Sequence, residues 1–576
     1  MNISNDHFIR EYNYWLEDDL FDIETKAELT ELDIYSETGI REIEDRFYKE
    51  IEFGTGGLRG VMGAGINRVN IYTIGRISKG LADYLTNKYS INECLSRGVA
   101  IAYDTRNNSK CFASTAANVL SASGIKVYLF DQPAPTPLLS FAVAHKNCIA
   151  GIVITASHNP KEYNGYKIYD DTGCQLVPHQ SNLVKQYIDR IKYDCIPFNT
   201  ISSLIEHINV TEEYISTILK NIPSSTLTFN DCSINNHLSI VYTPLHGTGL
   251  IPFIKTLETA GFEHITIVKE QQTPDGDFPT VKVPNPEEAQ TLEMGISLAQ
   301  KIDADIVLAT DPDADRIGLA IKTTDTASKN PNYQLLTGNQ IGALIVDYVL
   351  SNTDLSNVVK PAVVKTVVTS QLGAKIAEGF GCEVFNTLTG FKYIGEMINK
   401  FEESEFSFIA GYEESYGYLI GTHARDKDAI ISGLIICQMA AEYKAKGLTL
   451  LDRLKELYSL YGYYAEELES FSFEGKEGFN KMNEIMSNLK SSISLDTITD
   501  ILDFNEIGFK HKELEGVTEK SNLVKFILKD NSWFAVRPSG TEPKIKIYYS
   551  IVGKTASDAD DKLASVKTAI RNKFGL

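Results

Sequence analysis

Residues 149–170 read IAGIVITASHNPKEYNGYKIYD. The apolar, β-branched run from Ile152 to Thr155 predicts a buried strand, and the polar, proline-stopped sequence behind it predicts a loop at that strand's end. Ser157 lies in this loop, beside small Ala156 and ahead of His158, Asn159 and Pro160. The Asn-Pro pair favours a turn that presents the hydroxyl beyond the strand. Alone, such a serine is an ordinary loop hydroxyl. The surrounding chain gives it a different meaning.

Upstream, FGTGGLRG at 53–60 invites a dinucleotide reading, but the GxGxxG frame from Gly54 meets Arg59 where glycine is needed, and no apolar strand precedes it. A glycine-rich loop that lets backbone approach a phosphate, with Arg59 supplying charge-assisted hydrogen bonds, fits better. Strand-like 99–102 leads into Tyr103, Asp104, Thr105 and Arg106, followed by helix-like 113–120 and strand-like 125–130. That alternation argues for an α/β layered unit with Ser157 at its strand ends. Before it, Phe8, Tyr12, Trp15, Leu16, Leu20 and Phe21 recur at spacings near three and four, predicting one or two amphipathic helices over 5–51 that pack rather than react.

Downstream the pattern restarts, with a strand at 239–242, the turn-rich TPLHGTG at 243–249 and a helix at 253–259. The proline-rich QQTPDGDFPTVKVPNPEE at 271–288 predicts a long ordered loop across a surface or into a cleft. Apolar runs at 304–309 and 317–321 bracket TDPDADR, with Asp311, Asp313 and Asp315 at alternate positions. Three such carboxylates converge well on one hard cation and repel one another without it. A calcium EF-hand is excluded, because its sixth position is Arg316 rather than glycine and the flanks are strands.

A third unit starts near 339, with a helix at 341–350 and strands at 362–368 and 382–386. The loop TLTGFKYIG at 387–395 carries Lys392, and a short strand at 408–410 empties into GYEESYG at 411–417. Residues 447–460 predict a closing helix and 461–469 a linker. Strands at 523–528 and 532–536 then lead into RPSGTEPKIKIY at 537–548. Arg537, Ser539, Gly540 and Thr541 make a phosphate cradle in chemical type: a guanidinium fork, two hydroxyls and open backbone N–H groups. The absence of a GxxxxGK[ST] pattern removes a P-loop NTPase.

A length of 576 residues suits about four domains, and 43% apolar residues suit packed cores. The net charge of −21 disfavours nucleic acid or an anionic membrane as partner while leaving room for local pockets that bind small phosphates. Eight scattered cysteines without a CxxC pair fit reduced packing residues, and with no apolar signal core or membrane-length run they point to the cytoplasm.

TASHNP with YNGYKIY, then TDPDADR, GYEESYG and RPSGTEPKIKIY, in that order, resemble the signatures of the α-D-phosphohexomutase superfamily, the phosphoglucomutases and phosphomannomutases. The resemblance covers nearly everything from about 53 to 549 and is nearest the phosphopentomutase-like branch of bacterial α-phosphoglucomutases. It implies an α/β fold of three related domains plus a smaller C-terminal α+β domain around a central cleft, at 1–201 (with the helical extension), 202–325, 326–460 and 461–576. It implies Ser157 as the phosphoryl carrier and as a ligand, with Asp311, Asp313 and Asp315, of Mg2+. Lys167, Lys392 and Arg316 are implied at the reacting group, the two lysines as electrostatic stabilisers or as general acid and base. Sugar-phosphate binding falls to Arg59, Arg106, His158, Glu413, Ser415, Arg425, Lys427, Arg537, Ser539, Gly540 and Thr541.

The reaction so implied interconverts α-D-glucose 1-phosphate and glucose 6-phosphate through glucose 1,6-bisphosphate. Tyr416-Gly417 stands where mannose-handling members have Gly-His, which favours glucose, with pentose and mannose phosphates as competing substrates. A metal-dependent phosphatase and a silent sugar-phosphate binder are the rival classes. The phosphatase has no use for a second phosphate cradle, and the binder is expected to have lost the serine or an aspartate.

Overall fold

The computed structural model describes residues 7–54, 56–221, 232–323, 332–473, 475–492, 497–506, 517, 519–538 and 544–574. Its first sheet contains β1 (Gly57–Val61), β2 (Val99–Tyr103), β3 (Val127–Phe130), β4 (Ala150–Ile154), β5 (Tyr163–Tyr169) and β6 (Ile205–Ile208) in the order β1-β5-β4-β2-β3-β6. β2, β3 and β4 are buried throughout because helices cover both faces, which is why they read as continuous apolar runs. Alternate residues serve opposite layers: Val99 and Ile101 pack with Leu81 and Phe112 on one side, Ala100 and Ala102 with Leu138 and Leu139 on the other.

The second sheet, β7 (Ile240–Thr243), β8 (Ile265–Ile267), β9 (Ile306–Thr310), β10 (Ile317–Lys322) and β11 (Tyr333–Leu335), has the order β11-β10-β9-β7-β8. The third, β12 (Pro361–Thr366), β13 (Glu383–Thr387), β14 (Ser407–Glu413) and β15 (Gly417–Ile420), has the order β13-β12-β14-β15. One device recurs in all three sheets. A strand that is parallel to its inner neighbour runs into a short loop and returns antiparallel beside itself, as β4 to β5, β9 to β10 and β14 to β15. The three loops therefore leave the C-terminal ends of parallel strands, where open α/β sheets hold their ligands.

The fourth sheet is antiparallel: β16 (Tyr463–Ser472), β17 (Ile498–Asp503), β18 (Val524–Leu528), β19 (Trp533–Pro538) and β20 (Lys544–Gly553), ordered β16-β20-β19-β18-β17. Helices Gly475–Ser492 and Ala556–Phe574 cover one face through Leu489, Ile570 and Phe574. From the other face Trp533, Ala535 and Tyr548 pack on Val367, Val368 and Leu388 of the third unit and on Val177 of the first. Each fully buried aliphatic side chain on that seam contributes on the order of 1.5–3 kcal/mol.

Several expectations change. The N-terminal extension holds three helices, His7–Glu17, Ile23–Thr30 and Glu37–Phe47, because Asp22 and Ser36 each cap a new start; they close around fully buried Trp15. β6 carries the first sheet past the boundary expected at 201, and β11 carries the second past 325. Both are short, polar edge strands that leave no apolar run to read. The stretch expected as a linker at 461–469 is mostly β16, paired along its whole length with β20. Arg59 lies on strand β1 and Lys167 on strand β5, not in loops, and Lys392 lies in the first turn of helix Phe391–Glu402. The segment after helix Lys269–Gln272 is irregular through Glu288, as expected of its prolines.

Candidate active site

The three loops and the fourth sheet face a common cavity of about 1040 Å³. At one end stands Ser157, 2% exposed, with φ of 51° in the left-handed region, which costs a non-glycine residue on the order of 1–2 kcal/mol. The conformation is held from behind. Thr155 Oγ1 accepts from Ser157 N (2.8 Å) and donates to Asp104 (2.6 Å). The Arg106 guanidinium donates to the carbonyls of Ser157 (2.6 Å), Asn159, Pro160 (2.8 Å) and Tyr163 (3.1 Å). The hydroxyl is thereby turned to Asp311, donating to Oδ2 at 2.9 Å.

Ala314 repeats the left-handed device in the second loop, at φ 47°. Asp311 Oδ1 accepts from the backbone N–H groups of Asp315 (3.1 Å) and Arg316 (3.0 Å). Asp313 Oδ2 accepts from Thr136 Oγ1 (2.9 Å) and Lys167 Nζ (3.0 Å), while Asp315 Oδ2 lies 3.1 Å from Lys427 Nζ. One oxygen from each carboxylate lies within 4.8 Å of the others, all three residues are buried, and among the described residues Asp313 Oδ1 and Asp315 Oδ1 have no hydrogen-bond partner. Burial and two like charges push the Asp311 carboxyl well above the usual range; burial also opposes charge on Asp313, but Lys167 beside it holds that carboxyl down. Anionic oxygens converging in a buried site are the donor set of a hard divalent cation, with Ser157 Oγ within reach as a further ligand.

The third loop brings Glu413 and Ser415, with Tyr416 at φ 63°. Burial pushes the Glu413 carboxyl up to about 7 against the pull of Lys427 and Arg316. Glu414, which also lines the cavity, accepts from the hydroxyls of Thr366 (3.1 Å) and Thr369 (2.9 Å). Burial lowers the Lys392 ammonium to about 8, although Glu519 favours its charge. His158 Nδ1 stands 3.2 Å from Ser157 Oγ, and burial with the nearby Arg316 and Arg59 holds its imidazole well below the ordinary range.

At the far end Arg537 on β19 pairs in register with Lys546 on β20, and strand alternation sets Lys544, Lys546 and Tyr548 on one face; all four line the cavity. In the sequence the only signal for Lys544 and Lys546 is the alternation KIKIY. Asn285 and Glu287 of the proline-rich segment also line the cavity unforeseen. Ser539, Gly540 and Thr541 lie outside the described residues.

Arg59, Ser157, His158, Lys167, Asp315, Arg316, Lys392, Glu413, Ser415, Lys427 and Arg537 are brought together around the cavity, with Asp311 and Asp313 buried behind the wall. Two expected substrate residues are not. Arg106 is spent on the serine loop. Arg425 donates to Asn399 Oδ1 (2.8 Å), the Ala424 carbonyl (3.2 Å) and Glu402, anchoring helix Phe391–Glu402. Both guanidiniums satisfy loop carbonyls and carboxylates because a buried charge needs full pairing.

Four family models match in order: phosphoglucomutase/phosphomannomutase alpha/beta/alpha domains I at 50–194, II at 212–324 and III at 337–461, and the C-terminal domain at 504–562. A phosphoglucomutase of Staphylococcus haemolyticus (strain JCSC1435) is 36% identical over 527 residues, covering 88% of this chain and 91% of its own. That of Staphylococcus aureus (strain USA300) is 36% identical over 542 residues, covering 91% and 94%. Among solved structures, the open form of the Paramecium exocytosis-sensitive phosphoprotein pp63/parafusin, a phosphoglucomutase, superposes with a TM-score of 0.68 at 19% identity over 92% of this chain and 96% of that one. A phosphoglucomutase/phosphomannomutase family protein of Burkholderia thailandensis gives 0.65 at 17% identity over 90% and 97%. The chain belongs to the phosphoglucomutase/phosphomannomutase family and is an enzyme, a phosphosugar mutase.

Proposed function

We propose that this enzyme interconverts α-D-glucose 1-phosphate and glucose 6-phosphate through phospho-Ser157 and glucose 1,6-bisphosphate. The observation that carries the reading is one cavity with a buried serine over three carboxylates at one end and Arg537, Lys544 and Lys546 at the other. One phosphate reacts at the serine while the cationic end grips the other. In the first half-reaction the Ser157 O–P bond breaks as the sugar hydroxyl forms its own bond to phosphorus, giving the bisphosphate. After the bisphosphate turns end for end, Ser157 takes the second phosphate and regains its O–P bond.

Asp311, Asp313, Asp315 and Ser157 would hold Mg2+, which supplies charge neutralisation at the phosphoryl oxygens. The lysine roles divide by environment. Lys167, ion-paired with Asp313, acts as a fixed positive charge. Lys392, lowered to about 8 by burial, exchanges a proton near neutrality and takes the one released by the attacking hydroxyl. Glu413 and Ser415 bind sugar hydroxyls, and a buried carboxyl group rejects analogues that leave it unpaired. Seating of the fourth sheet on the third unit keeps water from the phosphoserine.

The reading extends to a cytoplasmic enzyme of small sugar phosphates. Among the described residues no helix is long and apolar enough to cross a membrane, and Cys94, Cys111, Cys148, Cys174, Cys195, Cys382 and Cys437 are free. The test is kcat/KM for the 1-phosphates of glucose, mannose, ribose and deoxyribose. Glucose is expected to rank first; a higher value for a pentose overturns the substrate assignment.

A further inference from the structure

The proline-rich segment is the one stretch that stood out in the sequence and has no part in the reaction so far. It braces the reacting end at two points. Phe278, 2% exposed, lies under the Arg106 guanidinium (5.0 Å to the ring centre), and a Cβ on Gly276 would fall 2.3 Å from Asn107 N, so the segment packs directly behind the serine loop. Farther on, Pro286 sits against Gly318 of β10, where a Cβ would fall 2.7 Å from the Pro286 carbonyl oxygen. Asn285 fixes the next turn: its Oδ1 accepts from Glu287 N (3.2 Å) and its carbonyl from Glu288 N (2.9 Å) and Thr291 Oγ1 (3.1 Å). These contacts deliver the Glu287 carboxylate to the Arg316 guanidinium in a close ion pair.

Arg316 is the hinge between two loops. Its backbone N–H donates to Asp311 Oδ1, its Nη1 to the Ser415 carbonyl (3.0 Å), and Ile317 N to the Tyr416 carbonyl (3.1 Å). Its Nε lies 3.8 Å from Asp315 Oδ1, one of the orphaned oxygens. A guanidinium so placed is attracted to the aspartates unless a stronger partner holds it off, and Glu287, paired with its Nη1, is the strongest of its carboxylate neighbours, ahead of Glu413. We propose that Glu287 is a positioning residue of the mutase reaction, which holds the Arg316 guanidinium off the aspartate triad and toward the cavity. The inference rests on the mutase reading. The rival partner for Glu287 is Lys546, whose charge it also favours across the cleft.

The experiment is a double-mutant cycle of Glu287→Gln and Arg316→Met in the full chain, assayed with whichever of the glucose, mannose and ribose phosphates the wild type turns over fastest. A wrong substrate assignment thus leaves the comparison intact. Glu287→Gln is expected to lower kcat about tenfold with KM changed less than twofold, and to have no further effect in the Arg316→Met background. Asp277→Asn, which loosens the same segment at Lys161 and Asn107, is expected to leave kcat unchanged. Unchanged kcat in Glu287→Gln, multiplicative effects in the cycle, or an equal loss in Asp277→Asn would each overturn the proposal. Thermal unfolding of each variant separates a folding defect from these outcomes: a kcat loss that tracks the fraction unfolded also counts against it.

Discussion

At the reacting end of the cleft Ser157, Asp311, Asp313 and Asp315 are at most 2% exposed and tied to groups from all three α/β units. At the far end Arg537, Lys544 and Lys546 stand half-buried on two neighbouring strands. The contrast follows from what each end must do. The reacting end performs the same transfer, between Ser157 and a sugar oxygen, in both half-reactions, so its geometry is fixed in advance by left-handed backbone, buried pairs and crossed loops. The far end must accept first one and then the other phosphate of a sugar whose ends differ. Three half-buried cations on a strand face suit that exchange better than a closed cage.

The comparison breaks most readily at the carboxylates. Chelation is expected to abolish turnover and Mg2+ to restore it, and Asp313→Asn should cost at least ~100-fold in kcat, read by steady-state assay across metal concentrations. Next is the support behind the serine. Arg106→Met leaves Asp104 buried without its cation and should destabilise the fold by about 3–5 kcal/mol in denaturant unfolding, although Arg106 touches no part of the cavity. Arg537→Ala should do the reverse, leaving the unfolding midpoint nearly unchanged while lowering kcat/KM about tenfold to a hundredfold for both sugar 1-phosphate and 6-phosphate. The smallest effect is that of pH. Burial lowers the Lys392 ammonium to about 8, and in the role proposed above its neutral form takes the proton, so kcat should rise about fivefold between pH 7 and pH 8 and go flat in that interval in Lys392→Arg.

The same two ends differ in how far they could be read from the chain. Each reacting loop sits where an apolar β-branched strand stops at a polar motif, so Ser157, the three aspartates and Glu413 could be placed at strand ends from pattern alone. Arg106 and Arg425 look like ligand-binding arginines in sequence, and only the fold shows their guanidiniums turned to buried carbonyls and carboxylates. At the far end, Lys544 and Lys546 alternate with isoleucines in a way that marks a strand face, but the phosphate-binding chemistry of Arg537 to Thr541 is the stronger local signal. β16 escaped because its pairing with β20 supplies the order that its charged, weakly alternating sequence does not. Glu287 had no local signal, since its importance lies in a residue 29 positions on, across a sheet edge.

The central claim is that Ser157 carries the transferred phosphoryl group, and peptide mass spectrometry after incubation with glucose 1,6-bisphosphate tests it most directly. The account predicts phosphate on the peptide containing Ser157, lost on adding sugar monophosphate, with Ser157→Ala unlabelled there and reduced in turnover by several orders of magnitude. Phosphate found only on another residue, together with an active Ser157→Ala enzyme, would contradict it.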